Sequence, residues 1–375
     1  MNANRRDWAR QTAKSMLAGG LYYSGILAGL LVLRRALGHP RVHVFCFHRV
    51  VPDFQTAAAR AIPALCISTT TFDAQLDYLA SRMDIVDLPR ALEILAGQRR
   101  ARRDAAVLTF DDGYRDTYTQ AFPRLRRRGL PAVVFVPTGY VGTEKRLPHD
   151  RLYAALRVAA AQPPAPAQPF AQRWAEIARR SGAPLAVETA ARTLAAGRVE
   201  ELVEALEAAY GPGEPPDPDG LPLDWKMCAE MAAAGIEIGT HTVSHAPLGH
   251  EPPASLRHEL AESKAAIERA LRRPARFLAY PNGVYSDEVV RMCHQLGFRA
   301  ALTTCARPNR VGADPMRLGR KVLWEAHGRG FAGRPSTATL ASHLQNVYGE
   351  IGRTGASGWV GAGASGDGVS QKEWV

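Results

Sequence analysis

The 375-residue sequence predicts an α/β protein with a parallel core sheet, open or closed into a barrel. Three observations predict it. Short apolar, β-favouring runs recur along the chain, and segments with helical periodicity alternate with them. Clusters of aspartate, histidine and asparagine stand directly after three of those runs, where the strand ends of α/β sheets bind ligands.

The first run is Val42–Phe47, followed at 71–79 by a helix that puts Phe72, Leu76 and Leu79 on one face. Ala105–Phe110 is the next strand, with a helix over 117–128 and a strand at 132–136. A strand at 236–238 follows a helix that Asp224 caps, and strands at 277–280 and 300–303 complete the set. Between Gly142 and Leu221 the texture changes to alanine-rich helix broken by proline. There Val199, Leu202, Val203 and Leu206 form an amphipathic stripe, so residues 143–221 read as a helical insertion over one face of the core. The core unit spans 41–330, and the glycine- and serine-rich tail beyond Gly352 is expected to be flexible.

Composition bounds the function. The net charge of +11 comes mostly from arginine, with runs at Arg99, Arg100, Arg102 and Arg103 and at Arg126, Arg127 and Arg128. Such runs are expected as solvated faces, with an anionic membrane surface or acidic glycan as the alternative partner. No helix-turn-helix, zinc-finger or aromatic RNA-binding signature accompanies them, so nucleic acid is not expected. The five cysteines form no C-x-x-C and read as buried thiols. Residues 15–33 carry no charge and are flanked by Arg5, Arg6, Arg10 and Lys14 before and Arg34 and Arg35 after. A helix over them would be just long enough to cross a bilayer. Its glycines and tyrosines fit equally well a helix packed on the core. A cell-envelope or membrane-associated location is expected from it, with a cytoplasmic one as the alternative.

Three clusters carry chemistry. In Thr109-Phe-Asp-Asp-Gly113, Asp111 and Asp112 would face opposite ways on a regular strand, and Gly113 lets the chain turn so that both serve one site. The pair is also compatible with a helix N-cap. In Gly239-Thr-His-Thr-Val-Ser-His245, His241 and His245 can clamp one metal if a turn brings them together. With Asp112 they make a two-histidine, one-carboxylate set that leaves positions for water and substrate. In Ala279-Tyr-Pro-Asn-Gly283, Pro281 and Gly283 fix a tight turn that can aim the Asn282 N–H into a site, although an ordinary loop reads the same way.

In this order, T-F-D-D-G, H-T-x-S-H and Y-P-x-G resemble the polysaccharide deacetylase family, the NodB homology domain of carbohydrate esterase family four. The resemblance runs from about Arg41 to Leu323. It implies a distorted (β/α) barrel and a metal-dependent hydrolase that removes N-acetyl groups from an amino-sugar polysaccharide or oligosaccharide. It also implies Asp112, His241 and His245 as metal ligands, Asp111 as general base, the Asn282 N–H as oxyanion donor, and Tyr280 and Pro281 at the substrate. Zinc is the expected metal, with iron, cobalt or nickel accepted by the same donors.

Three positions depart from the family pattern. Ala279 stands where many members have an arginine that pairs with the catalytic aspartate. Asn282 replaces a common tyrosine. No late leucine-x-histidine supplies the general acid, since His327 has the wrong spacing. Phe45-Cys-Phe-His-Arg-Val50 instead resembles the first strand of a rearranged branch that includes poly-N-acetylglucosamine deacetylases. That branch implies His48 as the acid, held protonated by nearby carboxylates, with His43 structural. The rival readings are a deacylase of a lipid-linked sugar and a non-catalytic glycan-binding protein of the same fold.

Overall fold

The computed structural model describes residues 16–26, 29, 41–165, 168–215, 217–330 and 336–344. Its strands are β1 (Val42–Phe47), β2 (Arg49–Val51), β3 (Cys66–Ser68), β4 (Asp84–Ile85), β5 (Ala105–Phe110), β6 (Val133–Val136), β7 (Glu237–Thr240), β8 (Phe277–Ala279), β9 (Ala300–Leu302) and β10 (Lys321–Val322). Eight of them form one parallel sheet in the order β10-β1-β5-β6-β7-β8-β9, with β4 added to β5, while β2 and β3 pair separately. The sheet curls as an open, distorted barrel. No named strands pair between β9 and β10 among the described residues; a parallel bridge from Leu302 to Leu318 spans that side.

Strand periodicity explains how the walls are filled. Phe45, Phe47, Leu108, Phe110, Val134 and Val136 share an apolar cluster with Phe72, Leu76 and Leu79 of helix α1 (Thr69–Arg82). Phe47, Phe72 and Phe110 meet there with ring centroids 5.1–5.9 Å apart. The alternate residues Val44, Val107, Phe135, Phe277, Ala279, Ala300 and Leu302 pack together on the opposite face. Thr109 and Asp111 continue the parity of Val107, which turns Asp111 toward that second face at the strand's carboxyl end.

The insertion is four helices, α2 (Pro148–Ala161), α3 (Pro169–Ser181), α4 (Ala183–Thr193) and α5 (Ala196–Tyr210). Their facing stripes, including Leu152, Leu156, Trp174, Val187, Leu202 and Leu206, build a second core that also takes Ile62 and Leu65. Asp224 caps its helix as expected, accepting from Met227 N–H at 2.7 Å.

The arginine runs are solvated faces with local partners. Arg99 pairs with Glu93, and Arg128 bridges Asp73 and Asp77. Four of the cysteines are buried and all five are free. At the amino end, the helix that includes residues 16–23 is broken at Ser24 and Gly25, where Gly25 adopts φ 78°. The single helix expected over 15–33 is therefore interrupted, and residues 27, 28 and 30–33 lie outside the described residues. Among the described residues no helix is long and apolar enough to cross a membrane. The tail beyond Gly352 also lies outside them.

Candidate active site

Every chemical cluster read from the sequence ends at one cleft above the carboxyl ends of the strands. Cys46, His48, Asp111, Asp112, His241, His245, Asn282 and Arg320 line it from the barrel, and His149, Glu188, Ala191 and Arg192 line it from the insertion.

Backbone strain concentrates here. Asp112 (φ 70°), Thr242 (φ 66°), His245 (φ 62°) and Asn282 (φ 55°) hold left-handed conformations, and among the described residues only Arg272 joins them as a non-glycine case. Such conformations cost about 1–3 kcal/mol each and persist only where the surroundings enforce them. The turn after β5 therefore begins at Asp112 itself, and Gly113 (φ 63°) continues it. A Cβ on Gly113 would meet Val136 Cγ1 at 3.0 Å, so a larger residue would have to displace that side chain as well as bear the strain of the positive φ. The Asp111–Asp112 pair is thus a two-faced turn feeding one site and caps no helix.

Asp112 Oδ1 lies 3.5 Å from His241 Nε2 and 3.2 Å from His245 Nε2. It is buried without a hydrogen-bond partner, which in a protein interior calls for a cation. His241 Nδ1 donates to the Ala279 carbonyl at 2.8 Å, so its Nε2 presents a lone pair to the same point. Burial alone would raise the Asp112 carboxyl, but His149, His241 and His245 hold it well below the usual carboxylate range. Burial drives His245 down to about 4, which keeps the ring neutral. Burial would lower His241 too, but Asp111 and Asp112 hold it above its ordinary value, so a metal binding there displaces a proton. Two imidazole nitrogens and one carboxylate then fit a divalent ion.

Asp111 is held differently. Arg320, fully buried, grips it through two bonds of 2.7 Å and also donates from Nε to the Thr303 carbonyl. Burial pushes the Asp111 carboxyl up, yet the guanidinium more than reverses this and leaves it below its ordinary value. The arginine missing at Ala279 is thus supplied from the segment entering β10. Ala279 needs no side chain, because its carbonyl orients His241.

Cys46, His48 and Asp111 also bring ligand atoms close together. With both Asp111 oxygens on Arg320, however, that group offers no second cation site. His48 is buried and has an unpartnered Nδ1. Burial lowers its pKa despite the pull of Asp112 and Asp111, which corrects the expectation that carboxylates keep it protonated. His327 does not line the cleft; its ring packs on Trp324 and His343. Tyr280 and Pro281 are also corrected. Tyr280 is fully buried in the apolar cluster around Leu278, with its hydroxyl on the Met316 carbonyl, and Pro281 is buried beside it. They build the turn that carries Asn282, whose amide donates to the Ala191 carbonyl of α4.

A model of the polysaccharide deacetylase family matches residues 98–301, more than half of the chain. The chain belongs to that family. Among curated proteins it is 19% identical over 242 residues to YxkH of Bacillus subtilis, named as a polysaccharide deacetylase, and spans 60% of that relative's length. Among solved structures this deacetylase-family chain resembles IcaB from Ammonifex degensii, with TM-score 0.51 and 21% identity over 82% of this chain and 100% of that one. It also resembles the Streptococcus pyogenes deacetylase PplD in complex with acetate, with TM-score 0.50 and 17% identity over 76% and 94% of the two chains. Both likenesses establish the barrel fold. Within this family member, Arg320 and His149 were invisible to motif reading: Arg320 is one of 47 basic residues, and His149 lies in the insertion.

Proposed function

We propose that the protein is a metal-dependent hydrolase that removes N-acetyl groups from an amino-sugar polysaccharide or oligosaccharide. One observation carries this reading. A carboxylate pinned by a buried arginine stands beside a separate two-histidine, one-carboxylate set, and both open into the same cleft.

Asp112, His241 and His245 would hold the metal, zinc by preference. When bound, it supplies a Lewis acid that polarises the amide carbonyl and eases deprotonation of water. Asp111 takes the proton of the attacking water, and Arg320 keeps that carboxylate oriented and ionised for the task. The Asn282 N–H, carried on a left-handed turn that lines the cleft, would receive the charge that develops on the carbonyl oxygen. An amine leaves only after protonation. Of the two cleft imidazoles outside the three proposed ligands, His149 is tied to Tyr114, so His48, neutral at rest, is assigned that proton transfer once it has taken up a proton.

Family membership supports the glycan substrate class. A membrane-associated location belongs to the same reading. It is supported by the uncharged 15–33 segment between basic flanks and by the exposure of Met16, Leu17, Tyr23 and Ile26. Acetate release from N-acetylated glycans and from lipid-linked N-acetyl sugars tests the proposal, with metal removed and restored. No release from any substrate in the metal-loaded protein would refute it.

A further inference from the structure

The insertion does more than roof the cleft, because its first turn reaches the metal set. Pro148 opens α2, and His149, the next residue, is buried at 5% exposure. The His149 ring centroid lies 4.8 Å from that of His245. Its Nε2 stands 3.6 Å from Asp112 Oδ2 and 2.8 Å from the Tyr114 hydroxyl oxygen. That hydroxyl donates its single proton to Asp150 Oδ2 at 2.8 Å. Its oxygen can then only accept from His149, which places the ring proton on Nε2 and leaves Nδ1 as a bare nitrogen, buried and without a partner. Arg49 lies over the Tyr114 ring at 5.1 Å and ties it to Asp116 and Asp217. His241 and His245 thus face Asp112 at Oδ1. The anchored His149 ring packs beside Oδ2 at 3.6 Å, too far for a hydrogen bond and with its N–H committed to Tyr114.

We propose that His149 is a positioning residue of the metal centre, through which the insertion holds the Asp112 carboxylate in the orientation that serves His241 and His245. Chemistry favours this over a fourth ligand. Four protein donors would close a tetrahedral site, whereas hydrolysis needs an open position. Partners that orient a ligating group typically change metal affinity by about 10–100-fold.

The inference rests on the metal reading above, and its test does not use turnover. Zinc affinity is measured by chelator competition on the full chain for the parent, His149→Ala, His149→Gln and Tyr114→Phe, with folding followed by circular dichroism. His149→Ala is expected to bind zinc about 10–100-fold more weakly. Tyr114→Phe, which frees the ring without removing it, should lose less, and the amide N–H of His149→Gln should restore part of the loss. The absorption spectrum of the cobalt-loaded His149→Ala protein should keep the parent's ligand pattern. Affinity within twofold of the parent in folded His149→Ala and Tyr114→Phe would make His149 a packing residue and overturn the proposal. A cobalt spectrum that loses one nitrogen donor would make it a ligand and overturn it equally. A parent that binds zinc tightly yet releases no acetate would refute the deacetylase reading while leaving this result standing.

Discussion

Replacing Arg320 by methionine isolates what the buried ion pair does. Methionine keeps much of the aliphatic stem but removes the guanidinium that lies over Phe135, and with it both 2.7 Å bonds to Asp111 and the bond to the Thr303 carbonyl. Hydrogen bonds to charged groups contribute about 1.5–3 kcal/mol each. Removing one partner of a buried pair costs about 3–5 kcal/mol, because the other charge is left uncompensated. Against a total stability of about 5–15 kcal/mol, such a loss is visible in urea unfolding at neutral pH. The double variant Asp111→Asn, Arg320→Met leaves no buried charge at this position, so it should recover much of the stability that the single variant loses. The pH dependence has a definite sign. Asp111 lies below its ordinary value in the folded chain, so the stability it contributes is fully present above about pH 4 and is lost as pH falls through the depressed value. The gap between parent and Arg320→Met should therefore narrow in acid. A loss below about 1 kcal/mol in the single variant would refute the reasoning, as would a double variant no more stable than the single one.

The other predictions concern the division of labour in the cleft. His241→Ala and His245→Ala should each lose bound metal while retaining the fold, and metal content equal to the parent's would overturn the ligand assignment. Asp111→Asn should keep its metal and lose most turnover, whereas Asp112→Asn should weaken metal binding itself; the reverse pattern would exchange their roles. His48→Ala should lower amide turnover by about 100-fold or more and affect an activated acetyl ester much less. His327→Ala, altered outside the cleft, should stay near parental activity; loss of activity there with His48→Ala intact would reassign the acid.

Much of the fold was legible because strands buried on both faces appear as apolar runs. The boundaries of β1 and β5 agree with the sequence reading to the residue, and the α5 stripe Val199, Leu202, Val203 and Leu206 is buried as its period requires. Strands β2, β3, β4 and β10 have only two or three residues and, unlike the equally short β8 and β9, most include a charged or polar residue that breaks the apolar run. The proposed metal set was legible because its three residues sit in two local motifs. The groups that hold those motifs in place were not. Arg320 meets Asp111 across 209 positions, and His149 meets Asp112 only because α2 starts where it does. The Tyr280 assignment failed because motif position says which turn a residue builds, not which way its side chain points.

The long reach from Asp111 to Arg320 also has a consequence for the order in which the molecule matures. Asp112, His241 and His245 have all been synthesised by residue 245, but Arg320 follows about 75 residues later. At roughly 5–20 residues per second, about 4–15 seconds separate the two events on the ribosome. When that interval begins the nascent chain carries all three proposed metal donors, while Asp111 has no guanidinium to balance its charge and β8, β9 and β10 are still to be made. Burial of Asp111 as a carboxylate must wait for Arg320, so docking of β10 beside β1 is the event that completes its ion pair.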